Sequence, residues 1–213
     1  MKKHLIMTTI VLAALTLTSC GNKAQEQTEA PKETPTEAPT ADTTFREFDV
    51  VADYQGNPFT IFKGHGALLA VGDEAHHNAM TIGWGALGNV WRENVNTITV
   101  YVAPARYTYE FMERYQYFTV MVFDKDRQDV LEYMGTHSGR DVNKEQALGL
   151  HVAYTEHGAP YYLEAREVYE CEVIYRDGLD PRGFEEIPRQ RYENFPAGVH
   201  HVYIGKILSA KRR

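Results

Sequence analysis

The chain has 213 residues, 43% of them hydrophobic, and a formal net charge of −7. These values fit one soluble globular core and exclude a collagen-like fibre, a coiled coil and a multi-span membrane bundle. Lysines and arginines are dispersed, with only Lys211, Arg212 and Arg213 clustered, so nucleic acid is a poor fit as a partner.

The first twenty residues stand apart from that core. Lys2 and Lys3 precede an apolar run from Leu5 to Leu17 that is too short to span a bilayer, and the run ends at "LTSC". This is the pattern of an export signal. Leu17-Thr18-Ser19-Cys20, followed by Gly21, resembles the lipobox of bacterial lipoproteins, which implies a signal peptide over 1–19 and a lipid on Cys20. The alternative is a plain secretory signal with an incidental cysteine. Cys171 is then the only thiol left to the folded part, so no intramolecular disulfide is available, and it reads as a small apolar strand residue. Residues 21–44 hold Glu, Thr, Pro and Ala with no aromatic or large aliphatic side chain, which cannot offset the entropy of ordering. They read as a tether, with one folded domain over 45–213.

In chain order, the first strand candidate is "FTIFKGHGALLAV" (59–71), bent or bulged at Gly64 and Gly66. "NAMTIGW" (78–84), "NTITVYVA" (96–103) and "YFTVMVF" (117–123) follow, then "REVYECEVIYR" (166–176) and "HHVYIGKIL" (200–208). The run from Glu167 to Tyr175 sets Tyr169, Cys171, Val173 and Tyr175 on one face and Val168, Glu170, Glu172 and Ile174 on the other, which predicts a half-exposed antiparallel strand. Short helices are expected over Tyr107–Tyr115, Arg127–Met134 and Asn143–Leu148. Strands in excess of helices, without a βαβ rhythm, predict a mainly β fold: an antiparallel barrel with a few short helices attached.

Three motifs invite readings that their context does not support. "GWGALG" (83–88) matches the dinucleotide-binding glycine pattern, but no helix start follows it to meet a pyrophosphate, so its glycines read as loop or bulge residues. "GTHSG" (135–139) lacks the glycine spacing of a serine nucleophile elbow, which leaves Ser138 as a ligand-bonding or turn-capping hydroxyl. His76-His77 and His200-His201 are adjacent pairs, whose side chains on a strand point to opposite faces and cannot share a metal without a turn.

A different constellation carries chemistry. In "APARYTYEF" (103–111), Arg106, Tyr107 and Thr108 stand where a strand gives way to a helix, which aims a cation, a hydroxyl and unpaired backbone N–H groups at one point. That suits a phosphate, with a salt bridge from Arg106 to a carboxylate such as Glu110 as the rival account. "SGRDVNK" (138–144) adds Ser138, Arg140 and Lys144 around a glycine. Two such loops and the aromatic strand end "MTIGWG" could hold both ends of a phosphorylated aromatic cofactor.

The order "NAMTIGWG", "VYVAPARYTYEFM", "YFTVMVF", "GTHSGRDVNK", "LGL", "HHVYIGKI" resembles the flavin reductase-like family of FMN-binding split barrels, particularly its flavoredoxin-type branch, over about 45–208. The resemblance implies a split barrel and FMN at the interface of a homodimer. It places Met80, Thr81, Ile82, Gly83 and Trp84 against the flavin ring and Arg106, Tyr107 and Thr108 on the phosphate. Ser138, Gly139, Arg140, Asp141 and Lys144 match the second loop. Backbone N–H groups near the ring would favour its electron-rich reduced form; Trp84, Tyr107 and Tyr109 read equally as buried aromatics. Where relatives often show "DVDKF", this chain has Asp141-Val142-Asn143-Lys144-Glu145. The expected function is a lipid-anchored FMN flavoprotein of the cell envelope that passes electrons, with no metal and no side chain needed as acid, base or nucleophile. A non-catalytic flavin binder for scavenging or sensing is the alternative, and a degenerate barrel serving as an interaction module is a third reading. A reduced nicotinamide donor, usual for this family, is scarce outside the inner membrane.

Overall fold

The computed structural model describes residues 44–64 and 66–213; the expected signal peptide, Cys20 and most of the tether lie outside them. Eight strands form one antiparallel sheet: β1 (Arg46–Glu47), β2 (Ala67–Gly72), β3 (His77–Ile82), β4 (Gly85–Asn89), β5 (Asn96–Val102), β6 (Tyr117–Val122), β9 (Glu167–Gly178) and β10 (His201–Arg212). A small hairpin, β7 (Val152–Tyr154) and β8 (Pro160–Tyr162), stands outside it. Helices α1 (Pro58–Ile61), α2 (Tyr107–Met112), α3 (Gln128–Thr136), α4 (Lys144–Leu148) and α5 (Glu186–Tyr192) join the strands.

The ladder runs β3-β2-β6-β9-β10-β5-β4, with β1 on β10. β3 and β4 lie at opposite ends of this path, yet only Gly83 and Trp84 separate them in the chain. Two residues reach roughly 10 Å at most, so the sheet has to curl until its two ends meet. They meet without a hydrogen-bonded ladder, and the barrel stays split along β3. That seam leaves one edge of β3 free for a ligand.

Side chains alternate between two cores, as a period of two requires. Leu69, Val71, Val100, Phe118, Val120, Tyr169, Cys171 and Tyr203 fill the barrel. Leu68, Ala70, Ala79, Met121 and Val168 face outward and are sealed by Val130, Leu131 and Met134 of α3 and by Tyr161 and Tyr162 of β8. Gly205 of β10 permits this closeness, because a methyl there would sit 2.4 Å from the Phe118 ring. Cys171 is fully buried and burial pushes its thiol up, in keeping with a packing role.

The sequence expectations hold for the central strands and fail at four places. Phe59–Ile61 is helix, because Asn57 caps it, accepting the Phe59 N–H at 3.0 Å, and Pro58 supplies a helical first residue. Of the glycine-rich stretch expected as a loop or bulge, only Gly83 and Trp84 form the connection; the rest is β4, in which Gly85 lies so close to Phe62 that a methyl would stand 2.4 Å from its ring. β9 is buried on both faces over Val168–Cys171, because β6 and β10 flank it and the hairpin covers it. Glu170, expected outside, is 3% exposed; burial pushes its pKa up, but bonds from Thr155, His157 and Ser209 outweigh this and hold the carboxylate below its ordinary value. α5 carries no apolar periodicity and was not foreseen.

Candidate functional site

The free edge of β3 borders a cleft of about 350 Å³, within the range of roughly 300–1,000 Å³ usual for small-ligand sites. Its walls are Asn78 and Met80 of β3, the turn at 105–108 that opens α2, and the segment 134–144 from the end of α3 to the start of α4. The backbone orientation of β3 follows from two contacts. A methyl at Gly66, beside β2, would sit 2.2 Å from the Ile82 carbonyl, whereas the Ala79 carbonyl accepts from the Lys144 ammonium on the other side. Successive residues of an antiparallel strand alternate, so Ala79, Thr81 and Gly83 turn their N–H and C=O groups to the free edge.

The turn at 105–108 is fixed from below. Arg106 is the N-cap of α2 in extended conformation (φ −78°, ψ 136°), and its carbonyl accepts the Tyr109 N–H at 3.0 Å. The buried Asn78 amide donates to the Thr108 hydroxyl at 2.7 Å, which ties α2 to β3. The Arg106 side chain is exposed and has no ion pair or hydrogen bond among the described residues.

Glu110, the carboxylate considered for Arg106, is taken by Arg140, whose guanidinium also lies over the Tyr107 ring at 4.7 Å. Gly139 lets the second loop come this close: a methyl there would sit 2.1 Å from Asn78 Oδ1. The loop is further held by Ser138, whose carbonyl accepts the Asp141 and Val142 N–H groups at 3.0 and 3.2 Å. Lys144 is 2% exposed, and burial pulls its ammonium down to about 8, partly offset by Glu145. The cleft continues past Gly139 toward His76, His77 and Glu145.

The structure therefore brings Met80, Arg106, Tyr107, Thr108, Ser138, Gly139, Arg140, Asp141 and Lys144 to one cleft. It separates four expected residues from that group. Thr81 turns its hydroxyl to the Leu131 carbonyl of α3 at 2.5 Å, and Ile82 points into the barrel core. Of these two, only Thr81 keeps backbone groups available to a ligand at the edge; those of Ile82 face β2. Gly83 and Trp84 line a neighbouring apolar groove with Phe59, Phe62 and Leu87. The Trp84 ring packs on His200 at 4.5 Å and is 38% exposed, so it is not barrel core. Sequence reasoning missed Asn78, Ala105 and the stretch Met134–His137. Asn78 carried a usable signal, a polar residue alternating in phase with the inward-facing strand positions Met80 and Ile82.

With the cleft described, the chain can be set against known proteins. The family model "Flavin reductase like domain" matches residues 62–213. The chain belongs to the flavin reductase-like family. Among solved structures, a flavoredoxin from Methanosarcina acetivorans is 24% identical over 69% of this chain and 67% of its own, with a TM-score of 0.53. The flavoredoxin of Desulfovibrio vulgaris (Miyazaki F) gives 23%, 69%, 68% and 0.53. An FMN-binding domain of a flavin reductase-like enzyme from Shewanella baltica OS155 is 16% identical but covers 81% of this chain and 78% of its own at a TM-score of 0.56. At these identities the likeness shows the shared fold, an antiparallel split barrel with few short helices. No curated protein sequence matches.

Proposed function

We propose that this flavin reductase-like chain is a flavin-dependent redox protein that binds FMN in the β3 cleft. The observation that carries the reading is a cation of the cleft left unspent among the described residues: Arg106 stands at a fixed turn between two loops while Arg140 and Lys144 are engaged elsewhere. The residues fit the group. Arg106, the Thr108 hydroxyl and the backbone of Ser138 and Gly139 would hold the phosphate, as charge-assisted bonds favour. Met80 and the free edge groups of Thr81 and Gly83 would meet the ring, the N–H groups facing its carbonyl and nitrogen edge.

Bound flavin would supply two-electron chemistry at that edge. The chain's own part is to orient the ring along β3, to offer backbone donors to the side that gains negative charge, and to keep Lys144 as a cation at the free edge of the strand. Lys144 donates to the Ala79 carbonyl, which stiffens the free edge that the ring would lie on. Tyr107 is held against Phe111 at 5.0 Å and under Arg140, a wall rather than a proton donor.

The reading extends to export and anchoring through Cys20 on the envelope side of a bacterial membrane, supported by the Leu17–Cys20 pattern. It also extends to a homodimer, supported by the exposed apolar groove at Phe59 (87% exposed) and Leu87. Protein purified from its own envelope is expected to be yellow, to release FMN on denaturation and to bleach with dithionite. A colourless protein that ignores added FMN in a fluorescence titration overturns the proposal.

A further inference from the structure

A second cavity, of about 570 Å³, shares no lining residue with the flavin cleft. It lies where β6 finishes, β9 starts and α3 begins, and the segment that carries α1 supplies the remaining wall. Its volume falls within the range of roughly 300–1,000 Å³ usual for small-ligand sites. Much of the wall is apolar: Ile61, Phe123 and Leu131 are buried, and the half-buried ring of Tyr54 stands with them.

Two polar features of this cavity lack partners. Gln128, the first residue of α3, lines it, and Gln128 Oε1 is fully buried with no hydrogen bond. No other buried side-chain oxygen or nitrogen among the described residues is left in that state. An acceptor so placed has given up water without recovering a bond, which calls for a partner that enters from outside the chain. The amide nitrogen of Gln128 donates to no described residue either.

The second feature is charge. Lys63 and Lys125 line the cavity and are exposed, and neither ammonium has an ion pair or hydrogen bond among the described residues. Arg166 beside them is engaged, with Glu167 at 3.3 Å and Asp124 at 3.6 Å. Glu167, the one carboxylate of the described lining, also accepts from the Tyr169 hydroxyl at 2.8 Å. Two unpaired ammonium groups on one cavity, in a chain of net charge −7, make a local positive field that favours an anion.

We propose that this cavity binds an aryl acid carrying a ring hydroxyl. The acid group meets Lys63 and Lys125 on the solvent side, the ring packs on Ile61, Phe123 and Leu131, and the hydroxyl reaches the Gln128 amide. A hydroxyl both donates and accepts, so it answers the buried oxygen and the amide nitrogen beside it. The aromatic body follows from the apolar wall, and the single acid from cations that stand only at the exposed side. The site stands independently of the flavin reading, since none of its residues belongs to the flavin cleft.

The test is calorimetric titration of the full chain, with and without saturating FMN, using 4-hydroxybenzoate and 3-(4-hydroxyphenyl)propionate. Each is set beside the acid without the hydroxyl (benzoate, 3-phenylpropionate) and the phenol without the acid (4-hydroxybenzyl alcohol, 4-(3-hydroxypropyl)phenol). At least one hydroxy acid is expected to bind at least about fivefold tighter than either of its analogues, the size of one hydrogen bond or charge-assisted contact. Gln128→Leu should erase the preference for the hydroxyl and keep the preference for the acid. The double change Lys63→Gln and Lys125→Gln should do the reverse, and Lys206→Gln, in β10, should alter neither. Both lysines are exposed, so the acid preference stays readable even if Gln128→Leu fails to fold. Failure of both hydroxy acids to bind overturns the proposal and leaves the Gln128 oxygen to a trapped water. Equal affinities within each set, or preferences that survive the Gln128 and lysine variants, overturn it too. Binding that saturating FMN abolishes puts the acid in the flavin cleft and overturns it as well.

Discussion

The two loops of the β3 cleft carry cations of different standing. In the turn at 105–108, Arg106 reaches solvent with no ion pair or hydrogen bond among the described residues. In the segment 138–144, Arg140 is locked to Glu110 and stacked on Tyr107, and Lys144 is buried against the Ala79 carbonyl. Both loops read alike as "basic loop with a hydroxyl", yet only one has charge left for a ligand. A cation already paired has exchanged its hydration for a protein partner, and a phosphate must break that contact before it gains its own. The second loop's contribution is therefore shape, set by Gly139, more than charge.

Four substitutions or conditions test this contrast. Arg106→Ala should weaken FMN binding by about 1.5–3 kcal/mol, the range of a hydrogen bond to a charged group, measured by fluorescence titration. Unchanged affinity would place the phosphate elsewhere. Gly139→Ala drives a methyl toward Asn78 Oδ1, 2.1 Å away, and should break the Asn78–Thr108 bond. The expected loss is about 1–3 kcal/mol in urea unfolding, the usual size of overpacking, with a parallel loss of FMN affinity. Arg140→Ala should cost only about 0–1 kcal/mol of stability, as a half-exposed ion pair does, and should change FMN affinity less than about threefold. An effect equal to that of Arg106→Ala would erase the distinction between the loops.

The fourth is a pH dependence of stability. Lys144 is pulled from 10.5 to about 8 by burial. Between those values the unfolded chain still holds a proton that the folded chain has released, so this residue makes stability rise as pH climbs from 8 toward 10.5. Below pH 8 both states are charged and the buried ammonium stays at its full cost. The gain should be seen as the difference between the natural chain and Lys144→Met in unfolding at pH 7.5 and pH 10, since other titrations are common to both. A natural chain that gains no stability relative to Lys144→Met between pH 7.5 and pH 10 would mean that Lys144 is not desolvated.

Much of the barrel was legible in the chain because alternation is local. β3, β5, β6 and the first half of β9 show their inward and outward faces within six or seven residues. What decided the exceptions was distant or small. Asn57 and Pro58 turn a strand-like "FTI" into helix, and Glu170 is buried because the β7–β8 hairpin folds over it, with His157, 13 positions away, reaching its carboxylate at 3.0 Å. The site was legible as residue types in two loops, but not as a circuit. That Glu110 chooses Arg140, 30 residues away, over its near neighbour Arg106 is set by topology, and no spacing rule contains it. The same holds for Trp84: its place beside Met80 in sequence suggested one surface, whereas the end of β3 turns it onto His200 and away from the cleft.

The central claim is that Arg106 is the phosphate anchor, and it is tested most directly by comparing FMN with riboflavin, which lacks the phosphate. In the natural chain FMN should bind at least about tenfold tighter than riboflavin, as one charge-assisted contact requires, and in Arg106→Ala that preference should largely vanish while riboflavin affinity stays the same. Equal affinity for the two flavins in the natural chain, or a preference for FMN that persists undiminished in Arg106→Ala, would contradict the account.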